Sequence, residues 1–195
     1  MIRLGILGST RGTHMLAIAA AIQQKKLDAS IAVVISNKRD ALVLERAAAC
    51  ALHAKFIDPT GLTRNEYDHL VSAELHQNHV DLIALVGYMR ILSEDFVLEW
   101  QDKIINVHPS LLPQFAGLMD LSVHQAVLQS GVKETGCTVH YVTKDVDAGP
   151  IILQKRCPVL AGDTPENLKA RVQQLESEAL IEAIVRIAKK YHDSI

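Results

Sequence analysis

Two kinds of segment alternate along the chain. Apolar runs of strand length occur at 2–7 (IRLGIL), 31–35 (IAVVI), 81–86 (DLIALV) and 103–107 (KIINV). Runs that are apolar almost throughout suit strands covered on both faces. Between them, HMLAIAAAIQQKKL, ALVLERAAAC and NEYDHLVSAELHQNH place apolar residues at spacings near three and four among good helix formers. Further on, SVHQAVLQSG reads as a helix stopped by Gly131, and CTVHYV and PIILQKRCPV read as strands joined by the polar loop TKDVDAG. A long helix follows, with Asp163 or Thr164 as its N-cap and Pro165 at its first position. The order predicts an α/β fold, a mostly parallel central sheet with helices on both faces.

At 195 residues, with no internal repeat or Pro/Gly-rich linker, residues 1–195 are expected to form one domain. Twenty basic and 22 acidic residues give a net charge of -2 without a block of one sign, which argues against a nucleic-acid-binding surface. Cys50, Cys137 and Cys157 form no C-x-x-C pair, so neither a disulfide framework nor a zinc site is expected. The start, MIRLGILGSTRGTH, has neither the length of a membrane span nor the layout of a secretory signal, so the expected location is the cytoplasm.

In an open parallel sheet, ligands bind outside the carboxyl ends of the strands. Three such ends carry candidate chemistry. Residues 8–14, GSTRGTH, follow the first strand and lead directly into a helix. Glycines there let amide N–H groups and the positive helix end face a phosphate, although a tight turn alone would use them equally well. Residues 87–92, GYMRIL, follow DLIALV; Met89, Ile91 and Leu92 suit an apolar pocket with Arg90 at its mouth, or simply the core of the next connection.

The third end is NVHPSLLPQFAG. Asn106 and His108, two residues apart, point to the same side of an extended chain, and Pro109 and Pro113 forbid its simple continuation. Asp145 and Asp147, from the loop KDVDAG, are candidates to stand beside His108. A carboxylate next to an imidazole favours the protonated ring, and an Asn amide can donate to an oxygen that becomes negative in a tetrahedral transition state. The set points to acyl transfer onto a nucleophile brought by the substrate. No G-x-S-x-G elbow supports a serine nucleophile, and the remaining histidines show no metal-ligand spacing such as H-E-x-x-H, so no metal is expected. His140, mid-strand, fits either the same cleft or the core.

Together, NVHPSLLPQFAG, the upstream GYMRIL and the downstream TGCTVHYVTKDVDAGPIILQ resemble the folate-dependent formyltransferases. The resemblance covers essentially the whole chain and implies a Rossmann-like formyltransferase fold. It implies 10-formyltetrahydrofolate as the formyl donor, glycinamide ribonucleotide as the acceptor, purine synthesis as the context, a monomer or homodimer, and no metal. By resemblance, Asn106 binds the formyl oxygen, His108 donates a proton and Asp147 holds that ring. Gly12, Thr13 and His14 match the family's phosphate loop, with Thr-His where Ser-Asn is more usual. Met89, Arg90, Ile91, Leu92 and Arg64 match folate contacts, and Glu176 matches an acid that holds the ribonucleotide. Arg64 and Glu176 equally fit ordinary surface charges.

Within the family, the tRNA-formylating and formylfolate-hydrolysing branches use additional domains for which this length is not expected to leave room. A binding module that kept the scaffold and lost the chemistry is less favoured, because Asn106, His108 and Asp147 are all present. A dehydrogenase is disfavoured by the absence of the dinucleotide fingerprint.

Overall fold

The computed structural model describes residues 1–193; Ser194 and Ile195, the end of the expected domain, lie outside the described residues. Each apolar run of the sequence becomes a strand. β1 (Ile2–Leu7), β2 (Ala29–Ser36), β3 (Ala54–Phe56), β4 (Leu82–Leu85), β5 (Ile104–His108), β6 (Glu134–Tyr141) and β7 (Ile151–Pro158) form one sheet in the order β3-β2-β1-β4-β5-β6-β7. The pairs from β3 through β5 are parallel, whereas β5–β6 and β6–β7 are antiparallel. The mostly parallel sheet predicted from the sequence is therefore present, with an antiparallel edge of two strands.

Helices α1 (Thr13–Gln23), α2 (Leu42–Ala49), α3 (Arg64–Gln77), α4 (Glu94–Glu99), α5 (Leu121–Ser130) and α6 (Pro165–Asp193) cover both faces. Side chains of β1 alternate between two cores, as the pleat requires. Leu4 and Ile6 pack with Met15 and Ile18 of α1 and with Leu180 and Ile184 of α6. Leu7 faces the opposite layer, with Tyr67, Val71 and Leu75 of α3 and Trp100 just after α4. Gly5 is small for the same reason: a Cβ there would lie 2.5 Å from Leu75 Cδ2.

Two short elements, β3 and α4, had no counterpart in the sequence reading. β3 has three residues and α4 six, too short for a periodic signal. The helix ends were more legible. Thr164, rather than Asp163, caps α6, its Oγ1 accepting the Asn167 N–H at 3.3 Å. Asp163 instead binds Arg171 at 2.7 and 2.8 Å, which holds its carboxyl low, at about 2. Gly131 ends α5 with φ 69°. No helix among the described residues is long and apolar enough to cross a membrane.

Two outcomes are expected from this packing. Ile6 is fully buried, so Ile6→Ala should lower the unfolding free energy by about 2–5 kcal/mol in a denaturant titration. His124 on α5 is 2% exposed, and burial pushes its pKa below the ordinary 6.5. The unfolded ring takes up a proton near that value while the folded ring resists it, so this contribution is complete above about pH 6.5 and lost as pH falls through the folded value. Urea unfolding at pH 7 and pH 5 should show a fall in stability toward acid, and a smaller fall for His124→Leu.

Candidate active site

The carboxyl ends of β1, β4 and β5 lie side by side in the parallel part of the sheet, and each opens into one of the three candidate loops. The β5 exit is the most constrained. β5 pairs antiparallel with β6 in a register that sets Asn106 opposite His140 and His108 opposite Thr138. Directly opposed residues in such a pair share a face. Thr138 Oγ1 then fixes the exit: it donates to Ser110 O at 2.7 Å and accepts the Leu112 N–H at 3.0 Å and the Gln154 amide at 2.9 Å.

His140 resolves into the cleft alternative and works on Asn106. Its Nδ1 lies 2.9 Å from Tyr141 O and donates there, leaving Nε2 to accept from Asn106 Nδ2 at 3.4 Å. Burial pushes its pKa down, which keeps the ring neutral and that acceptor available. The carboxamide retains its second N–H and its oxygen for other partners. The sequence alone leaves His140 open between cleft and core; the strand period that puts Thr138 and His140 on one face of CTVHYV is the usable signal.

His108 is 4% exposed and is held from two sides. Its Nδ1 is 3.3 Å from Asp147 Oδ2, and its Nε2 is 3.1 Å from Phe115 O. Both ring nitrogens face acceptors, an arrangement that a doubly protonated imidazolium satisfies. Asp147 Oδ2 also accepts the Gly117 N–H at 2.9 Å, while its Oδ1 stands 3.6 Å from His140 Nε2, beyond hydrogen-bond reach. Of the two acids in KDVDAG, Asp147 is thus the one that reaches the imidazole, and Asp145 is exposed. Asp147 adopts φ 55°, a left-handed turn that Asp tolerates better than most residues. The loop is pinched behind it: a Cβ on Gly149 would fall 1.8 Å from Tyr141 O. The Phe115 carbonyl, set by a residue at φ 61°, is a contact that sequence reading did not foresee and could not, since nothing in the side chains marks it.

The β1 loop brings Gly12, Thr13 and His14 together with Glu176. Gly12, at φ 69°, precedes α1, and no side chain caps the first N–H groups of that helix. Such groups are anion donors. α2 shapes the loop from behind, with Val43 N–H donating to Thr10 O at 3.0 Å and Arg46 to Arg11 O at 2.8 Å. A Cβ on Gly12 would lie 2.6 Å from Val43 Cγ2. His14 Nε2 is 3.5 Å from Glu176 Oε2, and His14 Nδ1 is 2.9 Å from Ser177 Oγ. Glu176 is 9% exposed, so it is no ordinary surface helix carboxylate.

At the β4 exit, Met89 and Ile91 are exposed, Arg90 and Leu92 half-buried. The Arg90 guanidinium lies 4.2 Å from the Tyr67 ring centroid. Arg64 opens α3 with its side chain exposed. This group shares no hydrogen bond with the Asn106–His108–Asp147 group among the contacts described above; the two meet through the sheet.

Comparison with known proteins agrees with the geometry. The profile of the Formyl transferase family matches residues 2–184. The trifunctional purine biosynthetic protein adenosine-3 of Gallus gallus is 40% identical over 188 residues, 96% of this chain but 18% of that protein. The chain therefore spans under a fifth of the length of that relative. Phosphoribosylglycinamide formyltransferase of Escherichia coli is 40% identical over 173 residues, 88% of this chain and 80% of that one. The crystal structure of glycinamide ribonucleotide transformylase 1 from Symbiobacterium toebii superposes with a TM-score of 0.93 at 41% identity, covering 97% of this chain and 89% of that one. With a sequence profile spanning nearly all of the chain and a matching sheet, the chain belongs to the formyl transferase family.

Proposed function

We propose that the chain transfers the formyl group of 10-formyltetrahydrofolate to the amine of glycinamide ribonucleotide, as a cytoplasmic enzyme of purine biosynthesis. One observation carries the chemistry: the imidazole and carboxamide at the end of β5 meet a carboxylate from the distant β6–β7 loop. The names and extent of similarity of the Escherichia coli and Symbiobacterium toebii relatives support the choice of acceptor.

The amine nitrogen attacks the formyl carbon and the carbonyl oxygen takes up negative charge. Asn106, aligned by His140, donates an N–H to that oxygen. His108, with Asp147 facing Nδ1, supplies a proton from Nε2 once the substrate oxygen takes the place of the Phe115 carbonyl. Collapse of the tetrahedral intermediate re-forms the carbonyl, returns the oxygen's proton to His108 and breaks the bond to the folate nitrogen, which departs as N–H with the proton given up by the attacking amine. The ribonucleotide phosphate rests on the N–H groups of residues 12–14, Glu176 helps to hold that substrate, and the folate lies against residues 89–92 with Arg64 as a further contact. His14 stands where a neutral amide is more usual in the family and is braced by Glu176 and Ser177.

Three acceptors separate this reading from its relatives. Offered 10-formyltetrahydrofolate with glycinamide ribonucleotide, with water alone, or with charged initiator tRNA, the protein should formylate the ribonucleotide. Hydrolysis alone or formyl-tRNA would overturn the acceptor, and no product would favour a binding module. His108→Ala should lower turnover by about 10²–10⁴ while far-ultraviolet circular dichroism stays unchanged. Asp147→Asn, which fits the same left-handed turn, should lower turnover by more than about tenfold, a decade being near 1.4 kcal/mol of barrier, with folate affinity retained.

A further inference from the structure

Residues 87–93 lie in the connection from β4 to α4 and are gripped at both ends by groups that no part of the mechanism above uses. At the first end, the Met89 N–H donates to Ser9 Oγ at 2.9 Å. Ser9 is 3% exposed, its hydroxyl donates to Asn37 Oδ1 at 2.6 Å, and its own N–H donates to Gly87 O at 3.1 Å. The two loops meet with no space between them, since a Cβ on Gly87 would sit 2.4 Å from Thr10 Oγ1.

At the second end, the Ser93 N–H donates to Asp68 Oδ2 at 2.5 Å. Asp68 is 1% exposed, and its second oxygen has no hydrogen-bond partner. Burial pushes its pKa up, and only the Ser93 contacts and the nearby Arg90 and Arg64 work against that. A desolvated carboxylate with so few donors is a costly way to fill a core position; an aliphatic residue packs there without that cost. What the acid supplies and an aliphatic residue cannot is an acceptor for one main-chain N–H, at the place where the segment turns into α4.

We propose that Ser9 and Asp68 are positioning residues for the formyl donor. By seizing the main chain at Met89 and Ser93 they hold residues 89–92 in the shape that receives the folate, so that its binding does not have to order them. The inference rests on the placement of folate against residues 89–92 proposed above. Both side chains are buried and act through main-chain N–H groups. Ordering a loose four-residue segment on binding weakens affinity, so the effect belongs to folate binding and not to the chemical step.

Steady-state kinetics of Ser9→Ala, Asp68→Ala and Asp68→Asn, with Leu92→Ala as a direct-contact control, test this. Ser9→Ala and Asp68→Ala should each raise KM for 10-formyltetrahydrofolate roughly 5- to 20-fold, as loss of one buried hydrogen bond does. Turnover at saturating folate and KM for the ribonucleotide should stay within about twofold. Asp68→Asn keeps an acceptor for the Ser93 N–H and should restore most of the folate affinity. An unchanged folate KM in the first two variants, with a raised one in Leu92→Ala, overturns the positioning role and leaves the folate placement standing. An unchanged KM in Leu92→Ala as well overturns the placement, and the positioning role with it. Equal loss on both substrates and on turnover, or no rescue by Asp68→Asn, shows a merely structural role and overturns the proposal. Should Asp68→Ala not fold, Ser9→Ala decides by the same outcomes.

Discussion

The antiparallel ladder between β5 and β6 is the constraint on which the site depends. A parallel sheet delivers strand ends to one edge. Adding β6 in the opposite sense lays a distant segment along the last residues of β5: Asn106 meets His140 and His108 meets Thr138 in register. Because the side-chain period of a strand is two, a slip of one residue would leave Asn106 and His108 on one face of the sheet and Thr138 and His140 on the other. The β6–β7 connection then returns across the same edge, which is how Asp147 arrives beside His108.

The environment gives two neighbouring imidazoles different roles. His140 has one nitrogen committed to a backbone carbonyl and the other to a carboxamide donor, and burial keeps it neutral. His108 faces a carboxylate on one side and a backbone carbonyl on the other, so it stands among acceptors only. A single acid serves as the reference for both, at 3.3 Å from one ring and 3.6 Å from the other. Groups of the same type are thereby set in different surroundings, one ring with a carboxamide donor at Nε2 and the other with oxygen acceptors at both nitrogens.

Much of this was legible in the chain because it is written locally. Strands that are apolar throughout, the Thr-Pro start of α6, the glycine that ends α5 and the Asn-x-His spacing at a proline-rigid exit depend on near neighbours. Strand direction at the β5–β6 edge does not; periodicity is blind to whether a strand runs up or down. Nor does the meeting of His14 with Glu176, which requires α1 and α6 to pack side by side. The Phe115 carbonyl and the Ser93 N–H escape notice for another reason. They act through main-chain atoms that every residue possesses, so only the folded path reveals them.

The pinch behind Asp147 bears on how such a loop can change over time. With the Tyr141 carbonyl filling the space where Gly149 would carry a side chain, the base of the hairpin has a fixed width and admits no bulkier residue. Lengthening or shortening has to be absorbed at the tip, where the acid itself sits. Insertions there would swing the carboxylate out of line with the ring it faces, so the position of the acid depends on the number of residues between the two strands.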